Sequence, residues 1–254
     1  MLVAERLQRI VELVNERKSI RVTELSELFA VTEETIRRDL DKLESEGKLA
    51  RTHGGAISLA ESDTEVPYYE REVVRKEEKR RIAEEAVKLI RPKDRILLDA
   101  SSTAWYMAKL IPDIPLTVLT NSIKVAIELA GKEKVEVIST GGIVSPGSLS
   151  YVGPLAERSL ESYHVDRLFL SCKGARLDRG LSESNELQAL VKRRMIEAAD
   201  EVVLLADYSK FGVQAFTHVA GWDRVARVVT DEKTGQGDVA RLREMGIDVV
   251  QLKG

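Results

Sequence analysis

Cysteine, histidine, proline and aromatic residues are all scarce in this chain of 254 residues. It contains one cysteine, Cys172, three histidines, six prolines and 5% aromatic residues. A single cysteine excludes an internal disulfide framework, and the sequence therefore does not predict a small secreted scaffold. The scattered histidines show no spacing typical of a metal site, so we predict no bound metal and no other cofactor.

Long apolar runs and a surplus of positive charge are also missing. No run of 18 apolar residues occurs, so no membrane-spanning helix is predicted. The first residues, MLVAERLQRIVELV, predict an amphipathic helix rather than the apolar core of a signal peptide, and we expect a cytoplasmic protein. The formal net charge of -3 does not by itself indicate nucleic-acid binding, so such a function would depend on where the basic residues lie.

The pattern of the chain changes near residue 60. Before that point, apolar residues recur at helical spacing. The stretch SLAESDTEVPYYERE, 58–72, is polar and acidic, and Pro67 interrupts it. Afterwards short apolar runs alternate with helical patterns, which is typical of an α/β domain with a mostly parallel sheet. We predict an N-terminal domain at 1–58, a linker at 59–72 and an α/β domain at 73–254.

The third helical pattern of the N-terminal domain carries most of the functional information. Thr32 is placed to cap this helix. Its buried face would contain Ile36, Leu40 and Leu43. Thr35, Arg37 and Arg38 then lie exposed near its start, and a recognition helix enters the major groove of DNA by its N-terminal residues.

A hairpin pattern follows that helix. The stretch KLARTHGGAISL alternates around a His-Gly-Gly turn and predicts a two-stranded wing, in which Lys48, Arg51 and His53 are placed to contact phosphate. A protein-interaction module is the alternative interpretation. In that case Arg37 and Arg38 would only pair with acids on the same solvated face.

The stretch VTEETIRRDLDKLESEGKLARTHGGA resembles the winged helix-turn-helix signature of the DeoR-type family of bacterial transcription repressors. Thr-Ile-Arg-Arg-Asp-Leu followed by Arg-Thr-His-Gly-Gly carries the resemblance, which continues through the C-terminal domain. It implies a regulator of a carbohydrate-use operon, controlled by a phosphorylated sugar or related metabolite, and no enzyme. The predicted residues for binding operator DNA are Thr32, Glu34, Thr35, Arg37, Arg38, Lys42, Arg51, Thr52, His53 and Gly54.

Five polar segments follow apolar runs in the C-terminal domain: LLDASSTAWYMAKL, VLTNSIKVA, VISTGGIV, FLSCKGARL and LLADYSKFG. Ligands of open parallel sheets bind beyond the carboxyl ends of the strands. Backbone N–H groups at helix starts bind anions, and paired glycines permit close backbone approach. The five segments are therefore predicted to converge on one small phosphorylated molecule.

The same domain resembles the DeoR-family sensor domain, which is related to ribose-5-phosphate isomerase. The resemblance implies that most of these segments line an effector pocket and that Glu186 reaches it. The alternative is that Glu186 is an ordinary first-turn carboxylate favoured by the helix dipole. Many members carry Gly-Ala-Asp-Gly where this chain has Ser171-Cys172-Lys173-Gly174, so the usual effector is not assumed. The predicted effector-binding residues are Asp99, Ser101, Ser102, Thr103, Thr120, Asn121, Gly141, Gly142, Lys173, Gly174, Glu186, Asp207 and Lys210. A homo-oligomer, dimer or tetramer, is expected.

A sugar-phosphate isomerase with an accessory DNA-binding domain is the alternative function. Isomerisation needs a positioned carboxylate base, for which Asp99, Asp207 and Glu186 are the possible residues. A small-molecule kinase is not favoured, because the phosphate-loop pattern GxxxxGK[ST] is missing.

Overall fold

The chain forms two compact units, each with its own apolar core. The computed structural model describes residues 3–17, 19–52, 54–58 and 66–253. Residues 1–62 with 69–74 form the first unit, and residues 63–68 with 75–254 form the second. No helix in these described ranges is long and apolar enough to cross a membrane.

The chain up to residue 74 contains mainly short helices and a small sheet. Its elements are α1 (Val3–Arg17), β1 (Ser19–Arg21), α2 (Val22–Phe29), α3 (Glu33–Ser45), β2 (Leu49–Thr52), β3 (Gly55–Ser58) and α4 (Tyr68–Val73). The predicted linker at 59–72 lies partly outside the described residues, and its last part belongs to α4. The predicted cap of α3 is confirmed, since Thr32 Oγ1 accepts a hydrogen bond from Thr35 N at 3.3 Å.

The small sheet is antiparallel and has the order β1–β3–β2. The predicted hairpin of β2 and β3 is present, and β1 adds a third strand. The backbone of β1 passes so close to Gly55 that a Cβ there would lie 2.1 Å from Ile20 O. The second glycine of the His-Gly-Gly turn is therefore required by packing. At Gly54, by contrast, a Cβ would meet no atom within 4 Å.

The second unit alternates strands and helices. Its elements are α5 (Lys76–Val87), β4 (Arg95–Leu98), α6 (Ser102–Leu110), β5 (Leu116–Thr120), α7 (Ile123–Leu129), β6 (Val135–Ser139), β7 (Ile143–Ser145), β8 (Ser150–Val152), α8 (Pro154–Leu160), β9 (Val165–Leu170), β10 (Gly174–Arg176), β11 (Gly180–Glu183), α9 (Glu186–Glu197), β12 (Ala199–Leu205), β13 (Thr217–Ala220), β14 (Arg227–Thr230), α10 (Gln236–Glu244) and β15 (Asp248–Gln251). Short 3₁₀ turns cover Tyr208–Lys210 and Trp222–Arg224.

The central sheet has seven strands in the order β15–β14–β12–β9–β4–β5–β6, and every neighbouring pair is parallel. The prediction of a mostly parallel sheet is confirmed. From β4 the chain builds outward through β5 and β6, and it then returns to the other side of β4 with β9. The strand order therefore reverses between β4 and β9, and such a switch point is where open α/β sheets bind ligands.

Two apolar clusters cover the two faces of this sheet. Leu97 belongs to one cluster, whereas Ile96 and Leu98 belong to the other, as the two-residue period of a strand requires. An antiparallel sheet, β10–β11–β13, and a two-stranded ribbon, β7–β8, complete the second unit. The buried central strands fix the loops at their carboxyl ends in place.

Candidate DNA-binding and effector-binding sites

Helix α3 has one buried face and one exposed face, as its sequence predicts. Its buried residues are Ile36, Asp39, Leu40 and Leu43. The side chains of Arg37 and Arg38 are 47% and 78% exposed, and Thr35 is half-buried beside them. The first half of the exposed face therefore offers two guanidinium groups and a hydroxyl.

Both arginines pair with acids one turn earlier on the same helix. Arg37 Nη2 lies 2.5 Å from Glu33 Oε2, and Arg38 Nε lies 3.3 Å from Glu34 Oε1. Exposed pairs at this spacing contribute about 0.3–0.5 kcal/mol each. Such weak pairs can be exchanged for contacts with a polyanion. Lys42 is exposed further along the helix, and its ammonium makes no ion pair with a described residue.

Arg51 in the wing points toward α3. Its Nη1 donates to Arg37 O at 3.3 Å and also pairs with the Asp41 carboxylate, and its backbone N–H donates to Glu44 Oε1 at 2.8 Å. These bonds hold β2 against α3. The neighbouring Thr52 is half-buried.

The turn of the wing is described only in part. Gly54 is exposed, and its carbonyl accepts a hydrogen bond from Val22 N at 2.9 Å. His53, one of the predicted DNA-binding residues, lies outside the described residues.

A buried ion pair inside the N-terminal domain was not predicted. Arg6 on α1 donates to Asp39 on α3 from Nε at 2.6 Å and from Nη2 at 3.3 Å. The hydrogen bond to Asp39 raises the pKa of the Arg6 guanidinium, although burial opposes this shift. Asp39 lies three residues after Ile36 and four before Leu43, so the spacing alone could have placed it on the buried face.

The predicted effector segments follow the strands of the central sheet. Asp99 follows β4, Asn121 follows β5, Gly141 follows β6, Lys173 lies between β9 and β10, and Asp207 follows β12. Because all seven strands are parallel, these segments lie at one edge of the sheet. Glu186 is different: it is the exposed first residue of α9, and its carboxylate makes no hydrogen bond or ion pair with a described residue.

Asp99 occupies the switch point between β4 and β9. Its side chain is fully buried. The carboxylate accepts hydrogen bonds from Ser101 N at 3.1 Å and from Ser171 N at 3.0 Å, and Lys192 Nζ lies 3.2 Å away. The carboxylate therefore ties the two loops at the switch point together.

Lys192 is a buried cation at the switch point that the sequence interpretation missed. It is buried on α9, donates to Ser171 O at 2.6 Å and pairs with the Glu183 carboxylate as well as with Asp99. Burial lowers the pKa of the ammonium, but the two carboxylates outweigh it and the net shift is upward. It lies one turn after buried Gln188, on the inward face of α9.

Several of the hydroxyl groups that were predicted to bind the effector make hydrogen bonds that stabilise the fold. Ser101 Oγ caps α6 by accepting from Ala104 N at 3.0 Å, and Thr120 Oγ1 donates to Leu98 O at 2.7 Å. Ser102 and Thr103 lie buried in the first turn of α6, where the helix N-terminus favours an anion.

Asn121 keeps an acceptor available in the interior. Its Nδ2 donates to Tyr151 O at 3.0 Å, which fixes the orientation of the amide. Its Oδ1 is buried and has no hydrogen-bond partner among the described residues. A buried acceptor without a donor is costly unless a ligand or water supplies one.

The positions of the predicted pocket that carry glycine require it for different structural reasons. Gly141 and Gly142 have φ angles of +62° and +119°, and a Cβ at Gly142 would lie 2.8 Å from Val152 O. A Cβ at Gly174 would lie 2.4 Å from Val213 O. Gly142 and Gly174 are therefore required by close backbone packing. Lys173, next to Gly174, is half-buried and its N–H donates to Ser182 O at 3.1 Å.

Asp207 and Lys210 lie together after β12. Asp207 is buried and accepts from Ser209 N at 3.0 Å and from Ser209 Oγ. Burial raises the pKa of its carboxyl, but nearby cations, Lys210 first among them, lower it and the net shift is downward. The Lys210 ammonium is half-buried and has no hydrogen bond or ion pair to a described residue.

Cys172 lies near the charged groups of Asp99, Lys192 and Lys210, and its thiol is unreactive. It is buried, and burial raises the pKa of its thiol to about 12, with a further contribution from Glu183. A thiol in this environment does not form the reactive thiolate at neutral pH.

Comparison with known proteins identifies both parts of the chain. Residues 6–62 match the family model of the DeoR-like helix-turn-helix domain, and residues 74–232 match that of the DeoR C terminal sensor domain. Part of the chain is also similar to ribose 5-phosphate isomerase A from Methanocaldococcus jannaschii, with a TM-score of 0.39 and 19% identity over 52% of this chain and 53% of that one.

Relatives match over most of their lengths. The uncharacterised HTH-type transcriptional regulator YulB of Bacillus subtilis is 57% identical over 99% of this chain and 98% of its own. The L-fucose operon activator of Haemophilus influenzae is 40% identical over 87% and 89%. The putative aga operon transcriptional repressor of Escherichia coli O157:H7 is 34% identical over 97% and 93%. This chain belongs to the DeoR family of DNA-binding transcriptional regulators.

Proposed function

We propose that the protein represses a carbohydrate-use operon and that a phosphorylated sugar or polyol controls its binding to the operator. The observation that carries the DNA-binding part is the exposed start of α3, where Arg37 and Arg38 stand above a buried apolar face. Relatives that are named for the aga and L-fucose operons support a sugar operon as the target. One of them is a repressor and the other an activator, so the sign of regulation is part of the proposal.

In this proposal α3 enters the major groove with its N-terminal half. Arg37 and Arg38 exchange their weak pairs with Glu33 and Glu34 for contacts to DNA. Thr32, Thr35 and Lys42 flank them, and the wing residues from Thr52 to Gly54 approach the phosphate backbone. Arg51 serves mainly to hold the wing on α3.

The effector is proposed to bind at the carboxyl edge of the parallel sheet. Its phosphate would lie at the start of α6, near Ser102 and Thr103, with Lys210 as the cation. Asn121 Oδ1 is available to accept a hydrogen bond from a hydroxyl of the same ligand. A small molecule that carries both an anionic group and hydroxyls fits this set of groups.

We propose no catalytic activity. A general base must be free to reach the proton that it removes. The Asp99 carboxylate is occupied by two backbone N–H groups and by Lys192, and Asp207 is occupied by Ser209. Glu186 is exposed on α9. The arrangement supports ligand binding rather than isomerisation.

A homo-oligomer working in the cytoplasm completes the proposal. Operator DNA is located there, and paired half-sites are commonly read by two-fold related subunits.

Three measurements test this function. Binding sites are selected from random-sequence duplex DNA, and the selected operator is then titrated with the full chain. A thermal-shift screen of phosphorylated sugars and polyols identifies the effector, because a ligand of the native state raises its stability. Adding that effector should release the operator. Failure to select any DNA sequence would refute the regulator, and interconversion of aldose and ketose phosphates would refute the absence of catalysis.

A further inference from the structure

We propose that Tyr68 and Arg75 form a clasp that transmits effector binding in the second unit to helix α4. The inference deepens the proposed function and rests on it, since it assigns a regulatory path to the proposed effector site. Neither residue belongs to the predicted DNA-binding or effector-binding sets.

The position of the clasp in the chain makes it suited to this role. Residues 69–74 group with the first unit, whereas Tyr68 and Arg75, which flank them, group with the second. Any shift of the two flanking residues must therefore be passed to the segment between them, because the chain is continuous and the segment is short.

Tyr68 is anchored firmly within the second unit. It is 1% exposed and belongs to the apolar cluster on one face of the central sheet. Its backbone N–H donates to Gly147 O at 2.7 Å, in the turn between β7 and β8. Lys124 Nζ lies 5.7 Å from the centre of its ring. The β7–β8 ribbon begins directly after Gly141 and Gly142, so this anchor is attached to one of the proposed effector segments.

Arg75 is attached to another proposed effector segment. Its Nε lies 3.5 Å from Tyr208 Oη and 4.0 Å from Asp207 Oδ1, and its guanidinium carbon lies 5.4 Å from the centre of the Tyr208 ring. Lys210 lies in the same 3₁₀ turn as Tyr208. The arginine thus contacts the segment that is proposed to hold the phosphate.

The backbone at Arg75 is that of a hinge under strain. Its φ is +51°, in the left-handed region, and it stands between the last residue of α4 at Val73 and the first of α5 at Lys76. This conformation is unfavourable for a residue with a Cβ. Its carbonyl accepts the Lys79 N–H at 3.1 Å, which links the hinge to the first turn of α5.

The link between the ligand and the hinge is the Asp207 carboxylate, which Lys210 and Arg75 share. In the ligand-free protein the cations that favour the charged carboxylate include both residues. When a phosphate binds the Lys210 ammonium, it neutralises that cation and brings negative charge toward a buried carboxylate. Asp207 then depends more on its other two cations, Lys79 and Arg75, and the arginine is drawn toward it. The hinge tightens as a result.

Hydrogen exchange of the full chain tests the clasp with inorganic phosphate as the probe and chloride at equal ionic strength as the reference. In the wild type, phosphate should slow exchange at 207–212, the anion site, and at 75–79, where the Lys79 amide reports on the hinge. Exchange at the anion site should be slowed about tenfold when the phosphate concentration is ten times its dissociation constant.

The deciding variant is Arg75→Asn, because asparagine tolerates the left-handed conformation and the hinge can still form. It should retain the protection of 207–212 and lose that of 75–79. Arg80→Asn is the matched control, since Arg80 on α5 pairs, among the described residues, only with Glu77 and Glu84, and it should behave as the wild type.

The other outcomes are separable. The clasp would be overturned if phosphate protected both segments in Arg75→Asn, or if it protected only 207–212 in the wild type. Either result would leave the proposed effector site intact. Loss of protection at both segments in Arg75→Asn would make Arg75 part of the anion site itself and would also overturn the clasp. No protection of 207–212 in the wild type would overturn the effector site, and the clasp with it.

Discussion

Arg6 and Asp39 join the first and third helices through an ion pair, with Arg6 Nε 2.6 Å from Asp39 Oδ2 and side chains only 11% and 10% exposed. Asp39 neighbours Arg37 and Arg38 in the sequence. The pair that holds α3 in place is therefore next to the residues proposed to read DNA, and the two roles can be tested separately.

We expect Asp39→Ala to destabilise the first unit by about 3 kcal/mol, because it leaves a buried guanidinium without its partner. Urea denaturation followed by far-UV circular dichroism measures the loss. Both tryptophans, Trp105 and Trp222, lie in the second unit, so the fluorescence transition should not move. Glu12→Ala is the control, since Glu12 pairs with Arg9 at the surface and its loss should change the stability little. Equal losses in the two variants would contradict a structural role for the buried pair.

Arg37→Ala and Arg38→Ala should each weaken operator binding without changing the melting temperature. An arginine that contacts a base edge contributes about 1–3 kcal/mol and acts on operator but not on scrambled DNA. Glu34→Gln should strengthen binding, because it releases Arg38 and removes a negative charge from the proposed interface. Titrations against both DNAs, with Arg9→Ala as an exposed control on α1, measure these effects. Unchanged affinity in both arginine variants would remove α3 from the major groove.

Lys192→Met should destabilise the second unit by about 3–5 kcal/mol at neutral pH, since it leaves one buried and one partly buried carboxylate without a cation. Thermal unfolding of both proteins at neutral pH gives the comparison. Equal stability of the two proteins would argue against an electrostatic role.

The wild-type chain should lose stability in strong alkali because of Lys192. The pKa of this ammonium is raised in the folded state, so the folded chain holds the proton more tightly than the unfolded chain. Its contribution is complete below the unfolded pKa of about 10.4 and is lost as the pH rises through the higher folded value. One such group gives a slope of up to about 1.4 kcal/mol per pH unit. A denaturation series above pH 10 measures it, and Lys192→Met should lack that part of the slope.

Lys210→Ala should weaken effector binding but spare operator binding by the ligand-free protein. Coupling between two sites is typically about 1–3 kcal/mol and must be reciprocal. The operator should therefore change the affinity for the effector by the same factor by which the effector changes the affinity for the operator. Calorimetric titration of the screened effector, with and without operator, tests both statements. Lys134→Ala is the control, because Lys134 is exposed before the first residue of β6, at the opposite edge of the sheet. Equal effector affinity in Lys210→Ala and the wild type would exclude Lys210 from the site.

The chain should sediment as a dimer or larger at micromolar concentration. One winged helix covers a small stretch of DNA, and symmetric proteins read half-sites separated by about 10 bp. Sedimentation velocity with and without operator is the measurement. A monomer under both conditions would contradict the expectation.

Periodic features of the sequence were sufficient to predict most of the fold. Ile36, Leu40 and Leu43 have the spacing of a helix face, and runs such as Ile96–Leu98 predict buried strands because both faces of a parallel sheet are covered. Ile20 has a strand-like setting in the sequence, but strand order and the pairing of β1 with β3 in the small sheet were not predictable in this way. They depend on contacts between distant segments, such as Ser19 with Ile57, that no local period records.

The candidate sites were likewise predictable only in part. Loops after parallel strands had to meet at one edge, so the neighbourhood of Asp99 and Asp207 followed from the pattern. The partners of those carboxylates did not follow, because Lys192 and Arg75 are far away from them in the sequence. A lysine in a helical pattern normally extends to solvent, and only the packing of α9 shows that Lys192 is buried.

The one thiol of the chain has a practical consequence for labelling the protein. Because Cys172 is buried and its thiol stays protonated at neutral pH, a cysteine introduced at an exposed position would be the one that reacts with a label. Gly54→Cys fits this purpose, since a side chain there meets no neighbouring atom. With this one substitution the chain can carry a single dye or spin label in the turn of the wing, and spectroscopy can observe its approach to DNA directly.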